Sequence, residues 1–135
     1  MIDELCEVLR HETEATNRLE GRLRALELVV AADEQRFVPL AIDEMEAASE
    51  RLAALELTRV LALATAGLPV DVAAADLLNG VVDPDAAHRL RVVVAELASA
   101  TDRLVDARQR ARTVVARGAE GAQRRLTAAA AFAAT

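Results

Sequence analysis

The first predicted helix carries acidic and imidazole side chains at spacings of three and four residues: Glu4, Glu7, His11 and Glu14. A helix places such residues on one face, where carboxylates and an imidazole could ligate a metal. Helical di-iron proteins, however, use a Glu-x-x-His pair on each of two helices. Neither histidine of this chain has a glutamate three residues before it. We therefore expect a solvated face and no metal site.

The remaining polar residues do not form a catalytic pattern. Asp85 precedes His88 by three residues, but it falls in the first turn of a predicted helix, where an acidic side chain favours the helix dipole. The hydroxyl groups lie in mid-helix without a nearby histidine, and no glycine-rich phosphate loop follows a strand. The sequence therefore predicts no catalytic residues, no cofactor and no enzyme.

Composition favours a helical protein. The chain has 135 residues, the length of one domain, with 53% hydrophobic but only 1% aromatic residues. Ala, Leu, Glu and Arg dominate, which is typical of long helices. The net charge of −6 argues against nucleic acid as a partner. A single cysteine, Cys6, and the absence of a signal or membrane-spanning stretch favour a cytoplasmic protein that does not enter a membrane.

Hydrophobic periodicity predicts an all-α fold with three long amphipathic helices of about 30 residues each in an antiparallel bundle. The first helix spans residues 3–32, with a partly polar belt at Glu12, Ala15 and Thr16. Asp33 is expected to cap the second helix, which reaches residue 66. Pro39 leaves two alternatives: the helix begins near Val38, or it begins at Asp33 and kinks.

Breaks and caps place the second half of the chain. Gly67 is expected to end the second helix in the left-handed conformation, and residues 71–79 can form a short extra helix. Asp83 and Pro84 predict the start of the third helix. Its seam repeats every seven residues: Leu90, Leu97, Leu104 and Ala111, with Val93, Ala100, Ala107 and Val114 three residues on.

The end of the chain is expected to separate from the bundle. Gly118 and Gly121 should end or loosen the third helix, which divides the chain into a bundle, residues 1–118, and an Ala-rich tail, residues 119–135, that is flexible or helical. Five arginines of the third helix should complement acidic residues near the first turn within the molecule: Arg103, Arg108, Arg110, Arg112 and Arg117.

The layout resembles the FlgN family of flagellar export chaperones, in particular its Arg-rich and Ala-rich members from high-GC bacteria. The resemblance rests on LELVVAADEQRF at the end of the first helix, EMEAASERLAALELTRVLALATAGLP in the second and DPDAAHRLRVVVAELASATDRLVDARQRA in the third. It implies a cytoplasmic chaperone that binds hook-associated filament-junction proteins before export and prevents their premature assembly. It also implies substrate binding at the C-terminal segment, where Leu126 and Phe132 are the matching apolar residues.

We therefore expect the third helix and the tail to hold an amphipathic helix of a protein partner. The candidate contacts are Leu104, Val114, Val115, Leu126 and Phe132. The alternative is a structural helical or coiled-coil module that self-associates, as a homodimer for example, through the Leu90, Leu97 and Leu104 seam.

Overall fold

The computed structural model describes residues 2–70 and 78–134. These residues form helix α1 (Ile2–Ala31), a 3₁₀ turn (Gln35–Phe37), helix α2 (Val38–Thr65), a second 3₁₀ turn (Leu78–Gly80) and helix α3 (Pro84–Ala134). No strand occurs in these two ranges, so the predicted all-α fold is confirmed. The predicted short helix over residues 71–79 falls mostly outside the described residues.

Helix α1 lies at the centre of the fold. It packs closely along both α2 and α3, whereas α2 and α3 have no comparably close backbone approach to each other over the described ranges. Near the start of α1, Leu5 shares a core cluster with Leu63 from the end of α2 and Leu90 from the start of α3. Helix α3 therefore runs parallel to α1, and α2 runs antiparallel to both.

The predicted seam of α3 is confirmed as a core surface. Leu90 and Ala100 are fully buried, and Leu104, Ala107 and Ala111 are at most 4% exposed. Small side chains at several of these positions let α3 approach α1 closely. Most of the seam is therefore packed within the chain, while Leu97 is half-buried, so little of the seam is exposed for the self-association of the alternative hypothesis.

The turn after α1 differs from the predicted one. Asp33 does not cap α2; it adopts the left-handed conformation (φ 56°), and the amide of Glu34 donates to the carbonyl of Val29 at 3.1 Å. This pattern is a Schellman ending of α1, to which Asp is suited because its short side chain tolerates positive φ. Helix α2 then begins at Val38 with Pro39 in its first turn, so the first of the two alternatives is confirmed.

The other two boundaries follow the sequence. Gly67 has a φ of 71°, and the Leu68 amide donates to the carbonyl of Leu63 at 2.9 Å, which ends α2 in a second Schellman motif. At the start of α3, the Asp83 carboxylate accepts a hydrogen bond from the Asp85 amide at 3.3 Å. Both predictions are confirmed. Each concerns a helix end that depends only on local backbone chemistry, which a short sequence pattern can indicate.

Gly118 and Gly121 do not end the third helix, so of the two states expected for the tail, flexible or helical, residues 119–134 adopt the helical one. Helix α3 has 51 residues and continues through both glycines to Ala134. A glycine lowers helix stability by only about 1 kcal/mol and ends a helix only where the chain turns. Residues 119–134 thus add ~24 Å of helix after Gly118; we call them the α3 extension. Its first part, as far as Arg125, still lies beside the α1–α2 turn.

Gly118 has a packing role. A Cβ atom at this position would lie 2.6 Å from Cγ1 of Val30, whereas a Cβ at Gly121 would meet nothing closer than 3.7 Å. Val30 is β-branched and therefore restricted in χ1 within a helix. Glycine at position 118 thus permits the close contact between the ends of α1 and the bundled part of α3.

We expect Gly118→Ala and Gly121→Ala to change stability in opposite directions. Overpacking against Val30 outweighs the helix propensity of alanine, so Gly118→Ala should lower the free energy of unfolding by about 1 kcal/mol. Gly121→Ala should raise it by about 0.5–1 kcal/mol. Urea unfolding of both variants measures the difference, and an equal gain in both would contradict the close contact.

Candidate partner-binding surface

The five predicted contact residues occupy three different environments. Leu104 is 3% exposed and packs in the core, so it does not lie on the surface, and its prediction as a contact does not fit this fold. Val114 is half-buried and Val115 is 40% exposed. Leu126 and Phe132 are 65% and 84% exposed and lie on the α3 extension. The surface candidates are therefore confined to the C-terminal half of α3.

Val115 belongs to an apolar groove between α2 and α3, which we call the α2–α3 groove. Its volume is about 420 Å³. The floor comes from α1, the two walls from α2 and α3, and the lining residues are Leu23, Leu26, Val30, Val38, Ile42, Met45, Arg108, Ala111, Arg112 and Val115. The groove exists because α1 separates the other two helices, which leaves their facing sides partly uncovered.

A second depression continues the groove toward the C-terminus. It has a volume of about 290 Å³ and shares Val30, Val38 and Val115 with the first. It reaches Ala122 and Arg125 on the α3 extension. The two depressions together follow α3 from Arg108 to Arg125, a length of ~26 Å at 1.5 Å per residue.

The C-terminal half of α3 is strongly basic in an otherwise acidic chain. Residues 107–134 contain six arginines and one acidic residue, Glu120. Of the six, Arg125 lies 3.4 Å from Asp33, and the others form no ion pair with the described part of the chain: Arg108, Arg110, Arg112, Arg117 and Arg124. These five guanidinium groups are available to carboxylates of another molecule.

The predicted intramolecular complement is found only in part, because Arg110 and Arg117 line a depression beside Glu27 but form no ion pair within the described residues. Arg103 does pair, at 3.6 Å, but with Glu20 rather than with the turn. Glu44 is instead bound by Arg22 of α1 at 2.8 Å. The arginines of α3 do not pair with the acidic residues near the start of α2 because α1, and not α3, is the helix that lies beside them.

A buried polar layer divides the core, as the weak middle of the first stripe predicted. Glu12 is 3% exposed and Thr16 is 2% exposed. Arg59 of α2 reaches into this layer, and its Nη1 lies 3.4 Å from Oε1 of Glu12. The other carboxylate oxygen, Oε2, is buried without a hydrogen-bond partner in residues 2–70 and 78–134. Two apolar clusters lie on either side of this layer.

The electrostatics of the layer disfavour a charged Glu12. Burial raises the pKa of the Glu12 carboxyl above its ordinary value, and the Arg59 guanidinium only partly opposes this shift. Thr16 does not satisfy the carboxylate, because its hydroxyl donates instead to the backbone carbonyl of Glu12 at 2.7 Å. Glu12 is therefore a destabilising feature of the fold at neutral pH.

The acidic face of α1 is solvated, since Glu4, Glu7, His11 and Glu14 are all exposed. Nε2 of His11 lies 3.8 Å from a carboxylate oxygen of Glu7, with both side chains more than half exposed. Within the described ranges, no three His, Cys, Asp or Glu side chains are grouped so that they could hold a metal ion. A polar depression beside His11 is lined by Glu14, Arg18 and Arg51. No hydrogen bond or ion pair links these three side chains in the described structure.

Comparison with known proteins adds no relative. No family model matches the chain, and no curated protein or solved structure is significantly similar to it. None of the helices in the described ranges has the length and apolarity needed to cross a membrane.

The α2–α3 groove was not predicted from the sequence. Val38 and Ile42 are half-buried residues of α2 that flank the buried Ala41, and they line the groove. An apolar flank outside the core stripe was the available signal, because a helix that packs against one neighbour needs only one stripe.

Proposed function

We propose that this chain is a flagellar-type export chaperone that binds an amphipathic helix of hook-associated filament-junction proteins. The resemblance to the FlgN family supports this function, together with one structural observation. The end of α3 extends beyond the bundle and carries exposed Leu126 and an Ala-rich surface, next to arginines that form no ion pair within the described residues. A helix of this kind suits helix-to-helix recognition of a partner.

The position of the α3 extension fits reversible binding. Its residues take no part in either core cluster, and its ion pair with the bundle, between Arg125 and Asp33, joins two side chains that are each more than half exposed. Such a pair contributes at most about 1 kcal/mol. The exposed surface of the extension can therefore bind a partner without disturbing the core.

Size-exclusion chromatography with light scattering tests the proposal. The full chain mixed with its cognate hook-associated proteins should form a soluble complex of near 1:1 composition. Deleting residues 119–135 should abolish or weaken this complex, because the deletion removes the exposed apolar surface. The absence of a complex with any of these proteins would contradict the function.

A single substitution in the full chain separates binding from folding. Leu126→Asp should weaken the complex at least tenfold, because it puts a charge on the apolar contact surface. Leu28→Asp is the matched control: Leu28 is 63% exposed, close to the 65% of Leu126, but lies on α1. If both variants bind equally well, the α3 extension is not the contact surface.

A further inference from the structure

The α2–α3 groove has the shape of a helix-binding site. Its floor and α2 wall consist of apolar side chains, among them Leu26, Ile42 and Met45. With the second depression it extends ~26 Å, which matches a helix of about five turns. A helix lying there would cover Val115, which is 40% exposed, and would continue along the α3 extension.

Charge decides which kind of helix fits the groove. The α3 wall contributes Arg108 and Arg112, one helical turn apart, and neither has an ion-pair partner in the described part of the chain. No acidic side chain lines this part of the groove. The acidic residue of the second depression, Asp33, is already paired with Arg125. The groove therefore presents uncompensated positive charge beside an apolar floor.

We infer that the α2–α3 groove binds an acidic amphipathic helix of the partner protein, whose apolar face covers the floor and whose carboxylates meet Arg108 and Arg112. This inference rests on the proposed function, and it specifies the chemistry of the segment that the chain recognises. Two carboxylates four residues apart on the partner would match the spacing of the two arginines. Arginine suits this role because it can bind a carboxylate through two parallel hydrogen bonds.

A second copy of this chain fits the groove less well. The exposed helical segment that another copy could supply is the α3 extension, which carries Arg124 and Arg125 and one acidic residue, Glu120. Placing these arginines beside Arg108 and Arg112 would oppose like charges. The charge of the groove therefore disfavours insertion of the α3 extension of another copy and favours an acidic helix.

Two synthetic helical peptides test the inference. Both carry the same Leu and Ala face over five turns, and their flanking residues are Glu in one and Lys in the other. Fluorescence anisotropy with the full chain should show binding of the Glu peptide at least tenfold tighter than of the Lys peptide. The R108E/R112E variant should lose at least tenfold in affinity for the Glu peptide and gain affinity for the Lys peptide.

The matched control is R110E/R117E, which makes the same change in charge on the same helix. Arg110 and Arg117 are exposed and line a different depression, beside Glu27 of α1. This variant should bind the Glu peptide nearly as well as the natural chain does. Because Arg108 is half-buried, the exposed single change Arg112→Glu is measured as well, with circular dichroism to verify folding, and should weaken binding at least threefold.

Four results would overturn the inference. Equal binding of the two peptides would show that charge does not select the occupant, and equal losses in R108E/R112E and R110E/R117E would indicate attraction to the whole helix. Self-association of the natural chain that R108E/R112E abolishes would assign the groove to a second copy. A complex with hook-associated proteins that forms equally well with R108E/R112E would refute partner binding in the groove while leaving the proposed function intact.

Discussion

Replacing Glu12 by methionine is expected to raise the free energy of unfolding by about 1–3 kcal/mol at neutral pH. The substitution removes a carboxylate that is 3% exposed and whose Oε2 has no partner in the described structure. Methionine fills a similar volume and would join the two apolar clusters. The Arg59 side chain is 37% exposed, so water can solvate its charge when the carboxylate is gone. Urea unfolding of the two proteins measures the change.

The gain from Glu12→Met should depend on pH in a defined direction. The folded chain has a Glu12 pKa above the ordinary value of 4.5, so between the unfolded and folded pKa values it binds more protons than the unfolded chain. Glu12 therefore makes the natural chain less stable as pH rises from about 4.5 through the raised pKa. The difference between the two proteins should be smallest at about pH 4 and reach its full size above the raised pKa.

Glu14→Met is the matched control for Glu12. Glu14 lies on the same helix but is exposed, so its replacement should change the unfolding free energy by no more than about 0.5 kcal/mol. A loss of stability in Glu12→Met at neutral pH would show that the Glu12–Arg59 pair is net stabilising, contrary to our account of the polar layer.

Replacing Leu104 by alanine is expected to lower the free energy of unfolding by about 2–5 kcal/mol. Leu104 is 3% exposed and packs with residues of α1 and α2, so the change leaves a cavity that the bundle fills only in part. If the seam of α3 bound a partner instead, Leu104→Ala would lower the affinity for that partner rather than the free energy of unfolding. Chemical denaturation of the isolated chain distinguishes the two roles.

Val105→Ala provides the comparison for Leu104. Val105 is the next residue and is 58% exposed, so its truncation should change stability by no more than about 0.5 kcal/mol. Similar losses for the two variants would mean that the seam is not the face of α3 that packs against α1.

Features of the fold that depend on local chemistry could be predicted from the sequence. The seven-residue spacing from Leu90 marked the buried face of α3, and Gly67 and Asp83 marked helix ends through a left-handed turn and a side-chain cap. Asp33 was misjudged because an Asp between two helices can end the first or start the second. Gly118 was misjudged because its function, close packing on Val30, depends on a contact between distant parts of the chain.

The candidate site was predicted only in part. Leu126 was expected on a C-terminal segment separate from the bundle, and it is 65% exposed in the structure. Arg108 and Arg112 were assigned to the wrong partners, because the pairing of charges depends on which helix lies between two others. The Glu12 layer was predicted as a polar break in a stripe, but its partner Arg59 comes from α2, and a single-helix pattern cannot identify it.

The two halves of α3 lie in different surroundings. The first half is buried against α1 and stabilises the bundle through residues such as Leu90 and Ala100. The second half is basic, largely exposed and continuous with the α2–α3 groove. Under the proposed function, this division keeps the scaffold folded on a core of Leu, Val and Ala while the second half presents a long helical surface to the partner.

Hydrogen exchange of the full chain, alone and in complex with a hook-associated protein, tests the central claim most directly. The α3 extension lacks core contacts, so its amides should exchange rapidly in the free chain. On binding, exchange should slow by at least tenfold in residues 108–134 and also decrease in residues 38–45, which form the opposite wall of the groove. A complex in which hydrogen exchange is unchanged in residues 108–134 and slows on another surface would contradict the account.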